Sequence, residues 1–433
     1  MAGVFLFSGL SPVATSFDSR WSVFIAMSLW RHGTTNLDDY SRQIRESGYY
    51  AVQCVAPDGH IRRGGPEACD GHWYNGYPVG GPVLAAPLTL AAVGGMHVLH
   101  PLLRRLHSSG AVLEGFFQDD FGAAHPILEM EVASCLLAVT AALMYFIARR
   151  YLSEKRALVL ALLFALATSA YSTGGRALWQ HTPSMLLLAA IILLLLRAEE
   201  NPALAAWAGL PVALSYTVRP TDSLFVIVFT GYVALRHRRY LLRYLLAAAP
   251  VAAIFVAYNW SIYHRILSPY YQTRLDGFSP GEWPVFVEAL AANLFSPSRG
   301  LLIYTPVFAF SIYSMVRGSW RTPLTNWLGA MTAAHWIVIS SFVRAWWAGH
   351  CYGPRYFTDL TPVLTLFLIP YLARWECLSR TVRVMFTACA LIGLAMHLRG
   401  GWSAKVYEWS STPVNVDLHP ERNWDWSDPP FLR

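Results

Sequence analysis

In a chain of 433 residues with only 14% charged side chains, a few acids and isolated arginines stand out by their positions. Asp18 in "SFDSRW" and Asp38 and Asp39 in "NLDDY" are carboxylates close to the start of the chain. Arg219 in "VRPTD", Arg299 in "SPSRG" and Arg355 in "GPRYF" are single cations, each beside proline, serine or tyrosine. A carboxylate next to a hydroxyl can take its proton as a general base. A planar guanidinium matches phosphate oxygens, and in a low-dielectric site it stabilises charge growing on a departing oxygen. Tyr356 adjoins Arg355. Tyr77 in "YNGYPVGGP", His181 in "LWQHTPS", and Trp346, Trp347 and His350 in "RAWWAGHCYGPRYFTD" add hydroxyl, imidazole and flat apolar faces suited to a sugar ring.

Each residue also has a plainer reading. Asp18 precedes the apolar-periodic "RWSVFIAMSLW" and is a good helix N-cap. A lone arginine at a helix end can anchor that end at the bilayer interface. "VRPTD" is a helix–helix corner with proline at the first helical position. "YPVGGP" is a helix-entry loop, and a histidine opening a helix is often a structural hydrogen-bond partner. The anion-binding reading belongs to the set rather than to any one member. No HExxH, paired CxxC or acidic calcium loop is present, so the expectation is catalysis without metal or other cofactor.

The elements that must position these residues are membrane helices. Hydrophobic residues make up 55% of the chain, and runs such as "ALVLALLFALATSAYS" and "SMLLLAAIILLLL" approach the ~20 residues that cross a bilayer. The fold class expected is an all-α polytopic membrane protein with about eleven transmembrane helices (roughly ten to thirteen). Spans are expected near 128–148, 157–173, 182–197, 203–218, 221–236, 241–262, 300–316, 324–343, 358–373 and 382–398, after a short first helix within Met1–Ser16. That first segment lacks the positive flank of a signal peptide.

The formal charge of +7 resides mainly in "ARRYLSEKR", "LRHRRYLLR", "VRGSWR" and "ARWECLSRTVR", which fall in every second gap. Basic short loops mark the cytoplasmic side, so the charge is a topology signal and no nucleic-acid partner is expected. The remaining gaps face outward. They comprise a large first loop over 17–127, "YSTGGRALWQHTPS", "RPTD", the residues 263–299 and a tail over 401–433, all within a single domain of 1–433. The run 81–103, broken by prolines and glycines, is expected as a juxtamembrane or re-entrant helix of that outer loop. The isolated acids and arginines thereby collect at the exoplasmic face. Cys54 and Cys69 share the outer loop, where a disulfide is permitted. Closing fifteen residues contributes roughly 3 kcal/mol in the chain-entropy model. Cys135 and Cys389 fall in spans, Cys377 on the cytoplasmic side, and Cys351 is left over on the outer face.

Seven segments in order carry a resemblance: "FDSRWSVFIAMSLWRHGTTNLDDY", "YNGYPVGGPVLAAPL", "LWQHTPS", "VRPTD", "NLFSPSRGLLIYTPV", "WWAGHCYGPRYFTDLTPVL" and "VDLHPERNWDWSDPPF". Together they resemble the GT-C class of integral-membrane glycosyltransferases, which contains the protein O-mannosyltransferases and the lipid A aminoarabinose transferase, and within it a bacterial branch. The resemblance implies a sugar carried on a polyprenyl phosphate and transferred, with inversion, to an envelope glycan, lipid or protein. It implies a multi-pass plasma (inner) membrane protein with a periplasmic active site. It also implies a catalytic carboxylate just after the first helix, the place of Asp18, with Asp38 and Asp39 as alternates because Ser19 stands where relatives often have a second acid. Arg219, Arg355, Arg299 and Tyr356 would hold the donor phosphate, and Tyr77, His181, Trp346, Trp347 and His350 would shape the sugar and acceptor pocket. The alternative is a transporter or flippase of a lipid-linked anion, which would also place arginines among many helices. Against it, the polar residues gather at one face and no internal repeat is visible.

Overall fold

The computed structural model describes residues 1–62, 69–106, 111–118, 120–272 and 280–433. The protein is mostly helical and built for a membrane. Five helices are long and apolar enough to cross one: Gly80–Leu102, His125–Ala148, Arg238–Tyr263, Arg355–Ala373 and Arg380–Trp402. Three shorter apolar helical stretches are His181–Arg197, Pro202–Val218 and Trp283–Phe295. Among the described residues this is fewer than the roughly eleven spans expected, and the reasons are local. The run 300–316 is split into Leu301–Tyr304 and Phe308–Arg317, because Pro306 lacks an N–H and forces Thr305 out of the helical region (φ −132°, ψ 65°). The run 157–173 ends its α-helix at Leu166 and continues as a wider turn over Ala170–Gly174. The first helix covers Ala2–Gly9 rather than reaching Ser16, since Ser11 precedes Pro12 and is pushed toward extended backbone.

Burial separates central helices from peripheral ones. The apolar window of Arg355–Ala373 is 78% buried, whereas that of Arg238–Tyr263 is 11% buried. The second therefore turns Leu242, Leu245, Leu246, Ile254 and Trp260 outward, an apolar face that lipid would cover. The continuous core lies between the helices beginning at His125, Glu154, His181 and Thr361, where Leu137, Met144, Leu160, Phe164, Leu188, Ile192 and Leu364 are fully enclosed.

Two outer elements differ from expectation. The run 81–103 forms one helix, Gly80–Leu106, which is long enough to span. It packs antiparallel to the His125–Ala148 helix. Ala85 shares a cluster with Val132, Ala133 and Leu136, one to three turns into the His125 helix. Val93 shares one with Phe121, Ala124 and Leu128 at that helix's start. The Gly80 helix thus runs back toward the outer-loop residues as it proceeds. It also packs on the helix Ser22–His32. The second difference is the helix Trp283–Phe295, which falls within residues 263–299, read from sequence as a connection only; Arg274 lies outside the described residues.

Residues 52–75 carry the strands found among the described residues. Val52–Val55 is the centre of a three-stranded antiparallel sheet, flanked by Ile61–Arg62 and His72–Asn75. Cys54 and Cys69 are bonded, with Cα atoms 5.7 Å apart. The strand register Val52↔Asn75 brings Tyr50 and Tyr77, two residues beyond each partner, to the same end of the sheet.

Candidate active site

Three chain reversals aim the polar side chains at a common cavity of about 1000 Å³. The first is a turn at Phe17–Trp21, in which Arg20 N–H donates to the Phe17 carbonyl at 3.0 Å. Asp18 and Arg20 project from it into the cavity wall. The turn is held from below by Glu129, fully buried in the His125–Ala148 helix, which accepts the hydroxyls of Ser16 (2.8 Å) and Ser19 (2.6 Å). An unpaired buried carboxylate is costly, and the serines on both sides of Asp18 supply its partners.

The second reversal is the "VRPTD" corner. Arg219 is extended (φ −153°, ψ 132°), as the residue before proline must be. Pro220 then opens a short 3-10 turn leading into the helix Ser223–Arg236. The third is the loop Arg344–Gly353. Ala348 and Gly349 are both left-handed, with φ of 61° and 64°. For alanine this conformation costs on the order of 1–2 kcal/mol. It divides successive carbonyls between two arginines. Trp347 and Gly349 receive Nε and Nη2 of Arg299 at 2.7 and 3.0 Å. The Ala348 carbonyl turns the other way and receives Arg355 Nη1 at 3.2 Å.

Within the cavity the side chains form one connected series. Arg355 Nη2 forms an ion pair with Asp18 Oδ2. Its Nε donates to His181 Nε2 at 3.3 Å, and its guanidinium lies 4.0 Å above the Trp179 ring. All three of its nitrogens are engaged. Since His181 Nε2 accepts, a neutral imidazole carries its proton on Nδ1, which lies 2.7 Å from both Asp359 Oδ1 and Arg219 Nη1. Asp359 Oδ2 is ion-paired with Arg219 Nη1, and the Arg219 guanidinium lies 5.7 Å from the centre of the Tyr356 ring. Asp359 is fully buried and Arg219 nearly so. The formal charges of this series cancel: two carboxylates, two guanidiniums and one neutral imidazole.

Asp18 has its other oxygen filled as well. Oδ1 accepts the hydroxyls of both Tyr50 and Tyr77 at 2.9 Å. Burial alone would raise the Asp18 pKa. The Arg355 guanidinium and the hydrogen bonds from Arg355, Tyr50 and Tyr77 outweigh it and hold the carboxyl below its ordinary 3.8. Burial and the neighbouring carboxylate push the Tyr50 phenol up to about 12 and raise Tyr77 further, so both remain donors at neutral pH. Asp18 is accordingly an ionised carboxylate whose remaining acceptor capacity is on Oδ2.

The cavity gathers Asp18, Tyr77, His181, Arg219, His350, Arg355 and Tyr356 from the sequence-derived set. The other members lie elsewhere. Asp38 accepts His72 Nδ1 (2.6 Å) and the Trp73 N–H (2.8 Å), and Asp39 pairs with His32 at 2.8 Å. Arg299 is buried beneath the loop, its nitrogens spent on carbonyls of Ser298, Trp347 and Gly349. Trp346 and Trp347 belong to a buried cluster with Trp409, and Trp347 Nε1 donates to Asp417 at 2.7 Å. Sequence reasoning passed over Tyr50, Glu129, Trp179 and Asp417. Glu129 carried a signal: it is an acid inside a run otherwise long and apolar enough to span, where ionisable groups are expensive and need a use.

Residues 125–263 match the model of the family described as dolichyl-phosphate-mannose-protein mannosyltransferase. The matched segment is thus similar to a glycosyltransferase domain of the GT-C type. The matched segment holds Glu129, Trp179, His181 and Arg219, while Asp18 and Arg355 lie outside it. No curated protein and no solved structure gives a match.

Proposed function

We propose that this GT-C-type protein is an inverting glycosyltransferase that takes a sugar from a polyprenyl-phosphate donor and passes it to an envelope glycan, lipid or protein at the exoplasmic face of the membrane. The observation that carries the reading is the meeting, in one cavity, of an ionised Asp18 with Arg355 and Arg219. A single displacement at an anomeric carbon needs a base for the incoming hydroxyl and positive charge at the departing phosphate.

In the proposed step the acceptor hydroxyl gives its proton to Asp18 Oδ2. The acceptor oxygen bonds to the anomeric carbon on the face opposite the phosphate. The bond from that carbon to the phosphate oxygen breaks, and its electron pair leaves with the polyprenyl phosphate. Tyr50 and Tyr77 fix the Asp18 plane through Oδ1, so only Oδ2 is presented. Arg219, with Nη1 turned to Asp359, supplies charge from the cavity wall. Arg355 holds Asp18 and His181 in register.

The test is to incubate purified protein with labelled polyprenyl-phosphate sugars and membrane extract, following donor consumption and product. Wild-type turnover, lost in Asp18→Asn with donor lipid still bound, supports the reading. Vectorial movement of intact donor across vesicle membranes without sugar transfer would replace it with a transport function.

A further inference from the structure

The cavity wall contains three arginines, Arg20, Arg219 and Arg355, and their commitments differ. Arg355 has a donor on each of its three nitrogens in use and pairs with Asp18. Arg219 pairs with Asp359. Asp417, the second acid of the lining, receives Trp347 Nε1 and stands 3.4 Å from His350. Arg20 alone of the three forms no ion pair and no side-chain hydrogen bond among the described residues. Glu129, the buried acid that feels its charge, has one oxygen taken by Ser16 and the other by Ser19. Arg20 is half-buried and projects from the same turn as Asp18. After every pairing is counted, the uncompensated positive charge of the lining is at Arg20.

We infer that Arg20 is the anchor for the donor phosphate, working with the free edge of Arg219, and that Arg355 is a positioning residue rather than a phosphate ligand. This rests on the reading of the cavity as a polyprenyl-phosphate site. A guanidinium already spent on a carboxylate must break that pair before it can bind a second anion, and a buried pair resists breaking. An unpaired guanidinium at the cavity wall has no such cost and offers its fork directly to two phosphate oxygens. Its location two residues from Asp18 sets the phosphate and the base on one turn, so the rigidity conferred by Glu129 serves both.

The experiment is equilibrium binding to the full-length protein in detergent, with two probes: a short-chain prenyl phosphate and inorganic phosphate. For Arg20→Ala the expected result is at least a tenfold loss of affinity for prenyl phosphate. Inorganic phosphate should weaken by a similar factor and bind less tightly than the lipid throughout. Arg20→Lys should recover part of the loss. The melting temperature should change little, because the side chain makes no ion pair and no side-chain hydrogen bond among the described residues; Arg20→Gln, closer in shape, gives a second reading of the same loss. Prenyl phosphate bound equally by wild type and Arg20→Ala overturns the inference. So does a loss confined to inorganic phosphate, which would make Arg20 a free-anion site. These measurements need no turnover. If Asp18→Asn keeps full transferase activity, the base assignment fails while the anchor stands or falls on binding alone.

Discussion

Arg355 is ion-paired with Asp18 across 337 positions of sequence. That contact ties the start of the most buried long helix to the turn at Phe17–Trp21, and it sets what substitutions at either end should do.

Asp18→Asn removes the negative charge and the proton acceptor while keeping the shape. Loss of a general base typically costs 10²–10⁴ in rate, and a fall of about 10³ in kcat is expected. Binding of the donor lipid should persist, and steady-state transfer assays alongside lipid-binding measurements check both.

The pH dependence follows from the direction of the Asp18 shift. Its folded-state pKa lies below 3.8, so the ionised form is favoured by the fold. The associated stability is present above the unfolded value and disappears as pH falls through the lower folded one. Transfer should therefore show no acid limb from pH 5 upward. Tyr77→Phe or Tyr50→Phe deletes a donor to Oδ1, which moves the Asp18 pKa up and shifts the acid limb of the rate profile toward neutral. A profile unchanged in both variants would show that the phenols do not tune this carboxylate.

Asp359→Ala leaves Arg219 buried without its anion and His181 without its acceptor. Removing one partner of a buried pair costs about 3–5 kcal/mol. A clear drop in melting temperature in detergent is expected, larger than that for Asp18→Asn. Arg219→Lys should also fail to restore activity, since a point charge does not reproduce the fork.

Arg299→Ala should act on stability and not on donor affinity. Its guanidinium serves the carbonyls of Trp347 and Gly349 and lies 5.5 Å from the Trp409 ring. The expected pattern is a lower melting temperature with an unaltered KM for the lipid donor; a raised KM in well-folded protein would return Arg299 to the phosphate site.

Much of this site was legible because charge is scarce in the chain. When most residues are apolar, an acid just past the first helix and single arginines at proline corners are conspicuous, and Asp18, Arg219 and Arg355 do meet. Residue type could not separate Arg299 from them, because backbone carbonyls and phosphate oxygens take the same donors. Tyr50 was illegible for another reason. It reaches Asp18 through the pairing of Val52 with Asn75, a register that no local pattern in "ESGYYAVQC" specifies. Hydropathy also counted apolar residues correctly and continuity poorly: Pro306 divides one run without lowering its hydropathy. The helix Trp283–Phe295 went unread because it follows a polar stretch that resembled a connector.

The outer sheet has one more consequence. Tyr50 precedes its central strand, Tyr77 follows the edge strand His72–Asn75, and Cys69 staples the intervening segment to the central strand at Cys54. A newly made chain whose first loop still faces a thiol-rich compartment would lack that staple. Its two phenols would then be tethered only by a few strand contacts, and the acid between them would be poorly aimed. In the proposed enzyme, competence for chemistry would then follow oxidation of that pair.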